Sequence, residues 1–167
     1  MFFLIYEGFQ KWIGFEDIIS SPTYFYVQKS LNNFTQIDTP IPFEVEILNV
    51  GGAMNLQTGK FTAPRTGKYF FSLSGLGYFP ASSSRITMEV HLVKNGNRIA
   101  KTNSDSVSSA SQYETFSLQS TLQLQVGDQI WVVISSISAG AHFHGNNNTH
   151  FTGWLLQEDV SLSLNVI

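Results

Sequence analysis

The sequence predicts an all-β fold, an antiparallel sandwich, jelly roll or barrel of short strands. Three observations predict it. Apolar and polar residues alternate with a period of two over several runs. Turn residues interrupt those runs at short intervals. The chain also lacks a convincing amphipathic helix, the weak stretch Phe9 to Ile19 excepted.

The elements follow in order. Phe43, Val45 and Ile47 alternate with Glu44 and Glu46, so one set faces a core and the other faces water. Asn49 to Gly52, Thr58-Gly59 and Arg65-Thr66-Gly67 read as turns. Tyr69-Phe70-Phe71 is an aromatic strand with bulky groups on both faces. Ala81 to Ser84 reads as a polar loop. Ile86, Met88, Val90 and Leu92 then alternate with Thr87, Glu89 and His91. Asn95-Gly96 follows, a pair that tolerates positive φ at both positions and so signals a hairpin. Asn103 to Ser111 reads as a second polar loop. Phe116, Leu118, Leu122, Leu124 and Val126 form the clearest alternating set, and Gly127-Asp128 turns the chain. Ile130 to Ile134 is apolar throughout, which predicts a strand covered on both faces. Phe151 to Leu156 is the last strand.

Composition narrows the function. A chain of 167 residues with 43% hydrophobic content suits one domain whose core needs neither metal nor disulfide. Charged residues make up 13%, about half the usual share, so Ser, Thr, Asn and Gln must supply the polar surface. The net charge is -3 and the nine Lys and Arg are scattered, which excludes nucleic acid and an anionic membrane surface as partners. There is no Cys, hence no thiol chemistry. No segment approaches the ~20 apolar residues of a membrane span. Phe2 to Tyr6 is apolar, but it is too short and lacks the basic start of a signal peptide. The expectation is that the sequence lacks its true beginning. Asn33-Phe34-Thr35 and Asn147-Asn148-Thr149 are N-glycosylation sequons, which point to secretion.

Catalytic constellations are missing. Ser72 and Ser74 precede Gly75 without a nucleophile-elbow pattern, and no carboxylate pair stands out. Gly75-Leu76-Gly77 runs into Tyr-Phe-Pro rather than a helix, so it does not cradle phosphate. His142 and His144 would share a strand face, with His150 across a loop, a spacing a metal can use. No acidic residue stands nearby to orient the rings, so a polar recognition loop is the stronger reading. Its candidate ligand contacts are His142, His144, Asn146, Asn147, Asn148 and His150. His91 is expected in solvent.

The order of turn and strand residues resembles the globular head of complement component one-q. The matching pieces are Phe43, Leu48 to Ala53, Thr58 to Pro64, Gly67 to Phe71, Leu92 to Gly96, Leu122 with Leu124, Gly127 to Trp131 and Thr149 to Trp154. The resemblance covers roughly Thr23 to Glu158. It divides the chain into an N-terminal segment 1–22, a domain 23–158 and a tail 159–167. It implies a ten-stranded antiparallel jelly roll, shared with tumour necrosis factor, that packs as a homotrimer. It implies a non-enzymatic, secreted recognition module of the innate-immunity or lectin-like kind, binding a glycan, a microbial surface or a protein receptor. The alternatives are a receptor-clustering ligand of the tumour necrosis factor type and a structural coat trimer. Many members bind calcium, though no acidic cluster here matches. The collagen-like stalk common in the family has no counterpart, since no Gly-X-Y repeat occurs. Aromatic residues exceed what one small core needs, which places Tyr69, Phe71, Phe151 and Trp154 at a subunit interface.

Overall fold

Eleven strand segments, all antiparallel, build two stacked sheets in a computed structural model that describes residues 21–30 and 33–159. The segments are β1 (Tyr24–Lys29), β2 (Val45–Val50), β3 (Met54–Asn55), β4 (Lys60–Thr62), β5 (Gly67–Phe79) and β6 (Ser82–Lys94), followed by β7 (Asn97–Ser108), β8 (Gln112–Leu124), β9 (Gln129–Ile137), β10 (His142–Phe143) and β11 (Thr149–Glu158). Sheet one runs β2-β1-β11-β5, with β8 on the other side of β5 and the two-residue β10 pairing its end. Sheet two runs β3-β4-β9-β6-β7. The weak helix candidate 9–19 and nearly all of the segment 1–22 and the tail 159–167 lie outside the described residues.

Alternation decides what lies between the sheets. On β5, Tyr69, Phe71, Leu73 and Phe79 point inward and are buried. Phe71 meets Phe25 and Phe151 of sheet one, and both Tyr69 and Phe71 meet Phe61 of sheet two, with ring centroids 5.3 to 6.3 Å apart. Each fully buried ring contributes roughly 1.5–3 kcal/mol over leaving it in water. Room for these rings comes from glycine. A Cβ on Gly153 would sit 2.6 Å from the Phe71 ring, and one on Gly77 would sit 2.6 Å from the Phe116 ring. Tyr69 buries its ring yet keeps a partner, its hydroxyl donating to the Arg65 carbonyl at 2.8 Å.

One buried charge ties the two ends of a loop together. Lys29 is 1% exposed, and its Nζ donates to Glu44 Oε1 at 2.7 Å and to the Pro42 carbonyl at 3.3 Å. Glu44 Oε2 accepts from the Ser30 amide at 2.9 Å. Burial raises the Glu44 carboxyl, but the Lys29 and Ser30 hydrogen bonds outweigh it and hold the group below its ordinary value.

Several sequence expectations need correcting. Ser82 to Ser84 belong to β6 and Asn103 to Ser108 to β7, so only Ala81 and Ser109 to Ser111 of the two stretches are loop. This hairpin forms the edge of sheet two, where polar side chains face water and the ladder continues without an apolar signal. Phe43 is in the core, but Ile47 is 47% exposed. The alternation breaks because β1 and β2 shift register between Tyr26 and Val27. Val126 is exposed, lying past the end of β8. The Asn95-Gly96 turn is as expected, with φ of 50° and 87°. Of the run Ile130 to Ile134, Ile130, Val132, Val133 and Ile134 are buried as expected, and Trp131 is half-buried with the Lys60 ammonium 4.2 Å over its ring.

Candidate functional site: the outer face of sheet one

The outward positions of sheet one form a face with an unusual composition. β1 contributes Tyr24, Tyr26 and Gln28, and β11 contributes His150, Thr152 and Trp154. β5 contributes Lys68, Phe70, Ser72, Ser74, Leu76 and Tyr78, and β8 contributes Tyr113, Thr115, Ser117, Gln119, Thr121 and Gln123. Across these four strands Lys68 is the one Lys, Arg, Asp or Glu whose register places it on this face. It sits at one end, where its ammonium donates to Gln157 at 2.9 Å. Aromatic residues enriched and charges depleted is the composition of a buried protein contact.

The lower half of the face is a shallow apolar groove. Phe70 and Trp154 pack at 4.6 Å between ring centroids. Beside them a groove of about 350 Å³ is lined by Pro22, Tyr24, Tyr26, Leu48, Thr152 and Trp154. Trp154 is 39% exposed and Leu48 47% exposed, large apolar groups left open to water.

The upper half is a row of tyrosines and histidines. The His142 ring stacks on Tyr78 at 4.6 Å, and His144 meets Tyr113 edge-on at 5.0 Å. The two imidazoles lie 5.9 Å apart. His150 stacks on Tyr26, whose hydroxyl lies 2.7 Å from its Nδ1. Burial, with a second contribution from His144, pushes the His142 imidazole below its ordinary value.

The predicted recognition loop is thereby split. Asn146, Asn147 and Asn148 form an exposed turn, with φ of 58° at Asn146 and at Asn147. The three histidines turn onto the sheet instead, where all are partly buried. Among the described residues no three His, Asp or Glu converge as metal ligands. Both sequon asparagines are exposed at this end, the Gly145 amide donating to Asn33 Oδ1 at 3.4 Å. His91 is not free in solvent, since its Nε2 lies 2.7 Å from Glu89 on the outer face of sheet two.

The expected interface residues divide. Trp154 does lie on the open face. Tyr69, Phe71 and Phe151 do not, because each is completely buried in the protomer's own core. The partition into two faces was correct, but the wrong face was sent outward. Parity carried the answer. The positions in step with Phe70 include Lys68, Ser72 and Ser74, which suit an outer face, while those in step with Tyr69 include Gly75 and Gly77, which make room for packed rings. Sequence reasoning also missed Tyr24, Tyr26, Tyr78 and Tyr113, which share one face only once β11 pairs with β1 and β5, and β5 with β8, across long separations.

Two stacked antiparallel sheets connected in this order form a jelly roll. The chain belongs to the C1q domain family, whose family model matches residues 24–156. It is 32% identical over 131 residues to mouse complement C1q and tumor necrosis factor-related protein 9, covering 75% of this chain and 36% of that protein. It is 34% identical to human complement C1q and tumor necrosis factor-related protein 9B over the same shares. The chain thus spans about a third of the length of these relatives. A solved structure, the globular domain of zebrafish complement 1qA protein, superposes with a TM-score of 0.59 at 18% identity, covering 83% of this chain and 99% of that one. The chain is accordingly a C1q-like module rather than an enzyme. Among the described residues no helix is long and apolar enough to cross a membrane.

Proposed function

We propose that the chain is a secreted recognition head that works as a homotrimer, with the outer face of sheet one as the subunit contact. One observation carries this reading. Sheet one leaves Tyr24, Leu48, Phe70 and Trp154 on a face with a single charged residue, while the ion pairs collect on sheet two. Covering the first face removes apolar surface from water at little desolvation cost. The second face stays wet and available. Recognition then falls to the exposed polar turn Asn146 to Asn148 and to the neighbouring loop at Asn33, presented three times by the assembly. Amide side chains there offer donors and acceptors to sugar hydroxyls or to a polar protein surface.

Two measurements test it. Light scattering should return the mass of three chains at neutral pH, and a monomer would remove the reading. A glycan and bacterial-surface binding screen should then show signal that falls at least tenfold when Asn146 and Asn148 are both changed to Ala. An unchanged signal would move recognition away from the turn. Loss of binding only on changing Glu89 or Lys101 would favour a receptor-type contact on sheet two instead.

A further inference from the structure

We propose that the sheet-one face is an acid-released interface, held shut by three neutral histidines, His142, His144 and His150, and parted when they take up protons. The proposal rests on the assembly reading above and adds its regulation.

His150 is oriented by its hydrogen bonds. Gln28 Nε2 donates to the Tyr26 hydroxyl at 2.8 Å and also lies 3.2 Å from His150 Nδ1. An amide nitrogen only donates, so Nδ1 must accept, and the ring proton sits on Nε2. The Tyr26 hydroxyl, already accepting from Gln28, donates its own proton to the same Nδ1. A proton on Nδ1 would break the Gln28 contact and force the Tyr26 hydroxyl to turn from donor to acceptor. His142 and His144 are coupled differently. Their rings are 5.9 Å apart, each is seated against a tyrosine ring, and His144 Nδ1 is buried with no hydrogen-bond partner. Charging both would place two imidazolium groups side by side.

Among the described residues of β1, β5, β8 and β11, the register places no charged group beside the three rings. From β1 the site meets Tyr26 and Gln28, from β5 Ser74, Leu76 and Tyr78, and from β8 Tyr113 and Thr115. The tyrosines are phenols, neutral throughout the acid range. Asn33 approaches from the segment before β2. Lys29 and Glu44 are committed to each other on the inner side. Glu114 pairs with Gly77, whose open side faces the Phe116 ring, so it shares the inner register. Lys68 stands at the far end of β5. Three histidines per chain thus become nine positive charges in a trimer, on a face where the described residues of β1, β5, β8 and β11 place no carboxylate to receive them. Imidazole is the side chain that takes up a proton in mildly acidic conditions, so that is the range to be tested.

The test is light scattering of the full chain from pH 7.5 to pH 5, with tryptophan fluorescence to follow folding. The wild type should fall from three chains to one across this range while remaining folded. The combined variant His142→Phe, His144→Phe and His150→Gln should stay trimeric at pH 5. A wild type that stays trimeric at pH 5 overturns this proposal alone, and one that is monomeric at pH 7.5 overturns the assembly reading with it. Unfolding of the wild type before release overturns it, as does dissociation of the variant in step with the wild type. Should the triple variant fail to fold, His150→Gln by itself must lower the midpoint pH, and an unmoved midpoint overturns the histidine assignment.

Discussion

The outer faces of the two sheets are made by the same alternation yet carry opposite chemistry. On sheet two, Glu89 accepts hydrogen bonds from His91, Lys101 and Ser135 within 2.7 to 3.0 Å, and Arg85 pairs with Asp105 at 2.9 Å. Lys94 reaches Asp128, and Lys60 lies 4.2 Å over the Trp131 ring. Sheet one has Lys68 and otherwise rings, hydroxyls and amides. Exposed ion pairs add little to stability, and stripping their water is costly. A face crowded with them therefore stays in solvent. A face without them can be covered. The molecule thus separates its contact surface from its solvated surface by where charge is placed, with the same backbone beneath both.

The sharpest way to break this comparison is to change adjacent residues of β5. Phe71→Ala should remove about 3–5 kcal/mol from the unfolding free energy, measured by urea titration, because it empties the core. Phe70→Ala should cost the folded chain no more than about 1–2 kcal/mol, with its main effect on assembly. Equal losses at the two positions would mean that the inner and outer faces have been misassigned. Next in size is Trp154→Asp, which places a charge in the apolar groove. It should weaken self-association by about 2–4 kcal/mol, seen as a fall in mass on dilution. Glu89→Gln on the opposite face should leave that mass unchanged, and a matching fall would show that both sheets make contacts.

Two smaller effects sharpen the electrostatic half. Glu44→Gln leaves Lys29 buried without its counter-charge, at a cost of about 1–3 kcal/mol by thermal or urea unfolding. A neutral result would show that the Pro42 carbonyl and the Phe34 ring suffice for the ammonium. Glu89 is held at about 2, chiefly by His91, then by Lys101 and Ser135. Its folded value lies below its unfolded one, so its contribution is complete above about pH 4.5 and disappears as the pH falls towards 2. The wild-type melting temperature should drop more steeply over that window than that of Glu89→Gln. Parallel curves would show that the cluster adds nothing to folding.

Much of the fold was legible in the residues themselves. Period-two runs, the Asn95-Gly96 turn and the largely buried Ile130 to Ile134 strand depend on neighbours close in sequence, and those were read correctly. The ends of β6 and β7 were not, because serine and asparagine in an edge hairpin give no apolar alternation to read. The candidate site was legible only in pieces. His142, His144 and His150 stood out by type, and Trp154 by size. Tyr26 meets His150 across 124 positions, a distance over which no local pattern carries information.

The sequence by itself determined that the chain is all-β, that it belongs with the complement heads, and that Tyr69 and Phe70 lie on opposite faces. Those are consequences of side-chain period and turn chemistry, which act over a few residues. Only the tertiary structure decided which of the two faces is the core. That choice depends on what the opposing sheet presents, here Phe61 meeting Tyr69 and Phe71 while glycines at 77 and 153 leave space for rings. It also decided that the histidines lie among tyrosines, with no carboxylate placed beside them by the described residues of β1, β5, β8 and β11, since that neighbourhood is assembled by strands that pair far apart in the chain.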